Sequence, residues 1–422
     1  MDFGRYTLFP IKNVHPLPHA LMGPGAHEMV GPTAVSLGMK KVLLMSTGLR
    51  GTGIVEEIAA QVRHNGVAVE VFDRVESNPK DANVMDAHAV YAETGCDSFI
   101  SVGGGSSHDC TKATRLVAAH DGRLVTEFKG PLDLGHTTLP KHIAVCTTAG
   151  TGSETSFAFV VTDTTTDPNK PEKFNTFAHA LSPTVAIDDP VLYYSLPSDL
   201  TAYCGFDVLA HAVGAYVSIL DNLVSHGPAL QAIELLAENL RLAVGNGYDS
   251  VAREKMMYAS YIAGQAFNSA GLDAVHSISH AVSAYYDTHH GLGLSISLPR
   301  VWEYNLPTAY KKFARVARSM GVATPRMSDV QAADAALEAA LRLAKDVGAP
   351  ENFTSLNTAP PYSKSRIGMG RYANSATIAG DAADCLRLAE HAIGDVCTFT
   401  NPRQLSVPTF TKLIDDCMNG SW

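Results

Sequence analysis

Basic residues are scarce in this sequence. Its 422 residues include 32 lysines and arginines against 42 aspartates and glutamates, a formal charge of −10. A nucleic-acid binder normally presents a basic face, so that class is excluded. Uninterrupted apolar runs are short: none approaches the ~20 residues that span a bilayer, and no membrane span is expected. The opening stretch, MDFGRYTLFP, has neither a basic nor an apolar targeting segment, so a cytoplasmic location is expected. Cysteines are few and odd in number: seven, at 96, 110, 146, 204, 385, 397 and 417, with no C-x-x-C pair. That pattern argues against a disulfide framework or a thiolate zinc site and fits reduced, structural thiols.

What remains is an ordinary globular balance, with 46% hydrophobic and 18% charged residues and no signature of disorder. The chain is long for one core, so two domains are expected. Up to about residue 190 short apolar runs alternate with helical patterns: KKVLLMST (40–47), GIVEEIAAQVRHNG (53–66), VAVEVFDRV (67–75), a helix over about 81–94, and DSFISV (97–102). HIAVCTT (142–148), FAFVVTD (157–163) and TVAIDD (184–189) add three further strands. Such alternation predicts crossover units and a largely parallel sheet. Beyond 190 the period changes. ALQAIELLAENLRLAV (229–244) and DVQAADAALEAALRLAKDV (329–347) repeat apolar residues at helical spacing, with no strand evident. The expected organisation is an α/β dinucleotide-binding domain over 1–190 and an all-helical domain over 191–422. The segment 355–377 reads as a loop, with paired prolines and few apolar positions.

Two polar, glycine-containing loops follow strands in the first half. In DSFISVGGGSSHDCTKAT (97–114), Gly103, Gly104 and Gly105 leave room for a diphosphate against their N–H groups. Ser106 stands where a helix N-cap belongs, with Asp109 three residues on as its capping partner. The helix dipole then faces the phosphate. The triplet is not the usual G-x-G-x-x-G, and a bare tight turn is the rival reading. In AVCTTAGTGSET (144–155), Thr147, Thr148, Thr151 and Ser153 offer hydroxyls to a ribose or a carboxamide. Ligands of open α/β sheets bind at such carboxyl ends, so the pair favours a dinucleotide. An acidic residue often ends an early strand to hold a ribose 2′-hydroxyl. Here that strand ends MSTGLR (45–50), where Ser46 and Thr47 can donate to a 2′-phosphate and Arg50 lies close. The cofactor expected is NADP(H), with NAD(H) the alternative.

HSISHAVSAYYDTHH (276–290) places four histidines in fifteen residues. GFDVLAHAVGAYVS (205–218) carries Asp207 and His211 four apart, on one helix face, and His276 and His280 repeat that spacing. Each alone is a common accident. Together, one aspartate and several histidines on two helices can supply a one-Asp, three-His set, which suits Zn²⁺, Fe²⁺ or Mn²⁺. Spacing leaves open which of His276, His280, His289 and His290 bind.

With GGGSSHD, TTAGTGSE, the aspartate–histidine helix, the histidine cluster with HG, and NPR (401–403), nearly the whole chain resembles the iron-type (group III) metal-dependent alcohol dehydrogenases. The resemblance implies a dehydroquinate-synthase-like architecture, with the active site between a dinucleotide-binding and a helical domain. It implies metal ligands at Asp207, His211, His276 and His290, a proton relay at His280, and no role for His289, where relatives carry proline. It assigns Lys173 to the cofactor phosphates and adds Asn78 to the cofactor side. The ion expected is Zn²⁺ first, with Fe²⁺ or Mg²⁺ as alternatives. The wording GGGSSHDC and the length are most similar to actinobacterial methanol dehydrogenases, nicotinoproteins that retain NADP(H) and reoxidise it with an external acceptor such as a nitrosoaniline dye. Those relatives imply a homo-oligomer, typically a decamer. Cys204 and Gly214 depart from the family's pattern, and neither is a ligand. Ala281, Val282, Ala284, Tyr285 and Tyr286 suggest a narrow apolar cleft for short primary alcohols and their aldehydes. A redox-neutral cyclase of sugar phosphates, on the same architecture, would need basic residues near the histidines, and few are there. A structural oligomer loaded with metal and nucleotide is the non-enzymatic rival.

Overall fold

A computed structural model describes residues 12–357 and 377–421. The strands are β1 (His19–Met22), β2 (Lys41–Ser46), β3 (Ala68–Phe72), β4 (Ser98–Gly103), β5 (Gly130–Pro131), β6 (His142–Cys146), β7 (Ala158–Asp163), β8 (Glu172–Phe177) and β9 (Val185–Asp188). Helices α1 (Val30–Ser36), α2 (Ile54–His64), α3 (Asp81–Thr94) and α4 (Gly105–Ala118) lie among them. From residue 198 onward the described chain is helical: α5 (Ser198–Val217), α6 (Leu223–Gly245), α7 (Ser250–Ala270), α8 (Ala274–Tyr286), α9 (His290–Ser319), α10 (Asp329–Asp346), α11 (Ala382–Ala392) and α12 (Val407–Asn419). The loop expected over 355–377 falls, apart from its ends, outside the described residues, as does the opening stretch.

Six strands form one sheet in the order β1-β9-β6-β4-β2-β3, every neighbouring pair parallel. Val42, Leu44, Ile100, Val102, Ile143, Val145, Val185 and Ile187 bury into one core with the helices, while Leu43, Met45 and Phe99 bury into a second, smaller one. Burial on both faces explains why these strands read as continuous apolar runs. The chain leaves β2 toward one edge of the sheet and β4 toward the other, so a crevice opens between their carboxyl ends. There the Thr47 N–H donates to Ser107 Oγ at 3.1 Å.

The strand at 157–163 does not join the parallel sheet. β7 pairs antiparallel with β8 in a separate three-stranded sheet. β8, EKFNTF, went unread because a charged pair opens it and its apolar residues are few. α5 is long and apolar enough by composition to cross a membrane, yet residues 200–217 of it are all buried inside the protein. It packs against α6, α7 and α9 and carries Asp207 and His211 into the core. All seven cysteines are buried and unpaired.

Candidate active site

Glycine fixes the phosphate loop. Gly103 has φ +144°, a conformation side chains rarely tolerate, and a Cβ there would lie 2.4 Å from Ser107 Oγ. The N-cap position of α4 is Gly104, without a side-chain cap. The expected capping by Ser106 and Asp109 is therefore wrong: Ser106 lies inside the first turn. Asp109 faces the opposite loop, accepting from Ser153 Oγ at 2.5 Å and from the Val160 N–H at 3.0 Å. With no side chain capping α4, its first N–H groups stay available to a ligand. Sequence reasoning missed Lys112, which is fully buried. Its Nζ donates to Ser153 Oγ (2.9 Å), Ser156 Oγ (2.8 Å) and the Ala158 carbonyl (2.7 Å), tying the two loops together. Burial lowers its pKa to about 8.

Two cavities flank this crevice. The first, of about 550 Å³, is lined by Thr47, Arg50, Gly104, Thr147, Thr148 and Asp73, among others. Thr148 Oγ1 is buried there without a hydrogen-bond partner, as is the nearby Ser46 Oγ. Such orphaned donors suit a polar ligand. Arg50 is engaged there: its Nε pairs with Asp73 at 3.0 Å, and both are exposed. Asp73, the carboxylate absent from β2, follows the neighbouring β3 instead. His289 lines this cavity too.

The second cavity, of about 750 Å³, holds the histidine cluster. Asn78, Gly105, Ser106, Thr151, Asp207 and His290 line both cavities, so the two meet between the phosphate loop and the cluster. The expected narrow cleft is corrected. Ala281, Val282, Ala284, Tyr285 and Tyr286 do not line it. Tyr286 donates its hydroxyl to Asp384 (2.6 Å) and Tyr285 lies under Arg387. Phe177, Phe267 and Leu272 form apolar wall instead. Lys173 opens onto this cavity and not onto the phosphate-side one. Its Nζ donates to Asn78 Oδ1 at 2.8 Å, and Asn78 Nδ2 donates to Asp287 Oδ1 (3.1 Å) and the Thr288 carbonyl (3.0 Å).

Within the cluster, Asp207 Oδ1 lies 3.4 Å from His211 Nε2, 3.7 Å from His276 Nε2 and 3.9 Å from His290 Nε2. These contacts are too long for good hydrogen bonds. Asp207 Oδ1 and both nitrogens of His276 are buried and unpartnered. Bonds of about 2.0–2.2 Å to one tetrahedral ion hold neighbouring donors roughly 3.4 Å apart, so the donors present fit a divalent metal. Burial lowers His276 to about 3 and His211 to about 4, leaving both rings neutral and able to ligate. The same burial raises Asp207.

Neighbouring groups orient these rings. Ser279 Oγ meets His290 Nδ1 at 3.1 Å and donates to its carbonyl at 2.9 Å. The glycine after His290 lets α9 approach α5, since a Cβ on Gly291 would lie 2.4 Å from the Tyr203 carbonyl oxygen. NPR is structural: Asn401 accepts from the Ala274 N–H at 3.2 Å and exchanges bonds with Asn305, fixing the start of α8. His280 stands apart from the four. Its ring stacks on His290 with centroids 5.1 Å apart, and its Nδ1 lies 2.8 Å from Asp395 Oδ2. Asp395 is a second residue missed in the sequence. Burial pushes its carboxyl up, but His280 and the Cys397 N–H outweigh that and hold it well below the usual range.

Residues 18–190 match the iron-containing alcohol dehydrogenase family, and residues 201–418 match the C-terminal part of the Fe-containing alcohol dehydrogenase family. The chain belongs to the iron-containing alcohol dehydrogenases. It is 57% identical to a methanol:N,N-dimethyl-4-nitrosoaniline oxidoreductase of Amycolatopsis methanolica, over 98% of this chain and 96% of that one. It is 54% identical to a protein of the same name from a Mycobacterium species, over 100% of both. Among solved structures, a 1,3-propanediol oxidoreductase is 37% identical and superposes with a TM-score of 0.86, over 97% of this chain and all of that one. This family member is thus an oxidoreductase acting on alcohols, with a parallel-sheet half and a helical half as the sequence led one to expect.

Proposed function

We propose that this dehydrogenase oxidises methanol and other short primary alcohols to aldehydes, on a nicotinamide cofactor that stays bound and is reoxidised by an external acceptor. The carrying observation is the convergence of Asp207, His211, His276 and His290 in the larger cavity, with Asp207 and His290 also lining the smaller one. The names of the relatives support the alcohol and the acceptor class. The proposed division is a dinucleotide-binding domain over 1–190 and a helical domain over 191–422. Those four residues would hold a divalent ion, Zn²⁺ first and Fe²⁺ or Mg²⁺ next, whose Lewis acidity makes a nearby hydroxyl more acidic. The chain's own part is positioning and proton handling. Asp395, ionised and without a proton to give, accepts from His280 Nδ1–H, so Nε2 of His280 is left to take the hydroxyl proton. Phe267 and Leu272 exclude water from the reacting carbon. Asn78, Thr151 and Ser153 would hold the nicotinamide end, and Gly103 to Ser106 the diphosphate.

NADP(H) is the proposed cofactor, because Ser46 and Thr47 end β2 without a carboxylate. Asp73, beside Arg50 in the same cavity, favours the second reading, NAD(H). Release of the nucleotide from denatured protein, with metal analysis of the same sample, decides both. In steady state, methanol or ethanol should be consumed rapidly with a nitrosoaniline acceptor and hardly faster on adding free NADP⁺. Robust turnover with free cofactor alone would place the protein among dehydrogenases with exchangeable cofactor. A cytoplasmic homo-oligomer, a decamer by resemblance, completes the proposal, and light scattering on purified protein measures its size.

A further inference from the structure

The larger cavity has a wall that the reading above leaves unused. The rings of His15 and Phe157 stack with centroids 4.2 Å apart and an interplanar angle of 25°. His179 lies against them, 4.4 Å from His15 and 5.6 Å from Phe157. All three line the cavity that contains Asp207, His276 and His280. His179 is exposed and the other two are half-buried, so the stack runs from solvent inward. Its inner end is tied to the cluster. The His15 N–H donates to Ser269 Oγ at 3.2 Å, two residues beyond Phe267, whose ring packs 4.6 Å from His211.

Size separates this wall from the alcohol. Methanol needs little more than the ~30 Å³ share of one water, while the cavity measures about 750 Å³. Even with a nicotinamide end in place, the remainder suits a planar molecule of ten or so heavy atoms, on the scale of ordinary ligand pockets. A cofactor that does not leave must give its hydride to a second molecule entering by the same cavity. Flat rings at its mouth favour a flat ring as the visitor. Burial, with His179 beside it, lowers the pKa of His15, which keeps that ring uncharged at neutral pH.

We propose that the His15–Phe157–His179 stack is the binding site of the external acceptor, a planar aromatic nitroso compound that alternates with the alcohol in one cavity. This rests on the retained-cofactor reading. The exchange balances. The alcohol loses a hydride and a proton to become the aldehyde. The reduced nicotinamide returns that hydride to the nitroso nitrogen, the N=O π bond breaks, and the oxygen takes the proton. The products are an aryl hydroxylamine and the oxidised cofactor.

The test uses the holoenzyme and its Phe157→Leu, Phe157→Tyr and His179→Ala variants, with N,N-dimethyl-4-nitrosoaniline as probe. Loss of one ring contact should raise the acceptor KM roughly tenfold in Phe157→Leu and His179→Ala. The alcohol KM, and the single-turnover reduction of bound cofactor by alcohol, should hold within twofold, and Phe157→Tyr should restore the acceptor KM. An unchanged acceptor KM, or an equal rise in both KM values, overturns the stack as the site. A wild-type enzyme that ignores the nitroso compound and turns over with free NADP⁺ overturns the functional reading as well, which keeps the two failures apart.

Discussion

Asp395 and His280 form a buried pair: Oδ2 lies 2.8 Å from Nδ1, although 115 residues separate them. Oδ1 of the same carboxylate accepts from the Cys397 N–H at 2.8 Å. The pairing fixes which imidazole nitrogen faces the cavity. Asp395→Asn presents an amide that can donate as well as accept, so His280 loses its enforced tautomer. The expected result is a fall in kcat of roughly 10²-fold or more, with metal content intact. Measuring both on one preparation decides it; undiminished kcat would remove Asp395 from the mechanism.

His276→Ala and His290→Ala should each abolish activity and empty the metal site, because each deletes one of the nitrogens within 4 Å of Asp207 Oδ1. His280→Ala should keep its metal and turn over about 10²-fold more slowly. Full metal occupancy in His290→Ala would contradict the ligand set.

The 2′ end of the cofactor is open to a charge test. Thr47 is anchored through its backbone N–H on Ser107, so its side chain can change without loosening the loop. Thr47→Asp sets a carboxylate beside a 2′-phosphate and should shift binding from NADP(H) toward NAD(H) by at least tenfold, read from the nucleotide retained after purification. An unaltered ratio would mean that Arg50 and Asp73 read that end.

Acid should strip the metal late. A ligating imidazole must be unprotonated, and burial lowers His211 to about 4 and His276 to about 3. Protons therefore compete only as the pH falls toward those values. The same burial raises Asp207. Metal occupancy after dialysis should be level from pH 8 to 6 and fall toward about pH 4. Half-loss near pH 6.5, where an ordinary histidine titrates, would show the cluster to be solvated.

Much of the site was legible because its chemistry is local. Three glycines after an apolar strand, hydroxyls after another, and Asp207–His211 and His276–His280 at helical spacing each fit within one element. Residues whose role depends on distant partners were not legible. Asp395 reads as the start of a short turn until the fold brings it to His280. Lys112 reads as a solvated helix position, since nothing local announces the loop that buries it. Asp73 was missed because the strand searched for a carboxylate was β2, whereas pairing lays the end of β3 beside it. The cavity wall was misplaced for a related reason: Ala281 to Tyr286 are close in sequence to the ligands, but one turn of helix carries them to another face. β8 lacked apolar alternation because its partners are only one antiparallel strand and a two-residue strand.

The bridge from Lys173 through Asn78 to the loop at Asp287 and Thr288 has an energetic consequence. Asn78 borders both cavities, and the backbone it grips runs directly into His290. A nucleotide that stiffens Asn78 also stiffens the fourth donor of the cluster, and an ion that pins His290 draws the same loop against the nucleotide. Linkage requires the two effects to be equal in free energy. Two occupants coupled in this way would strengthen each other's retention by a single shared factor, and stripping either one would loosen the other to the same degree.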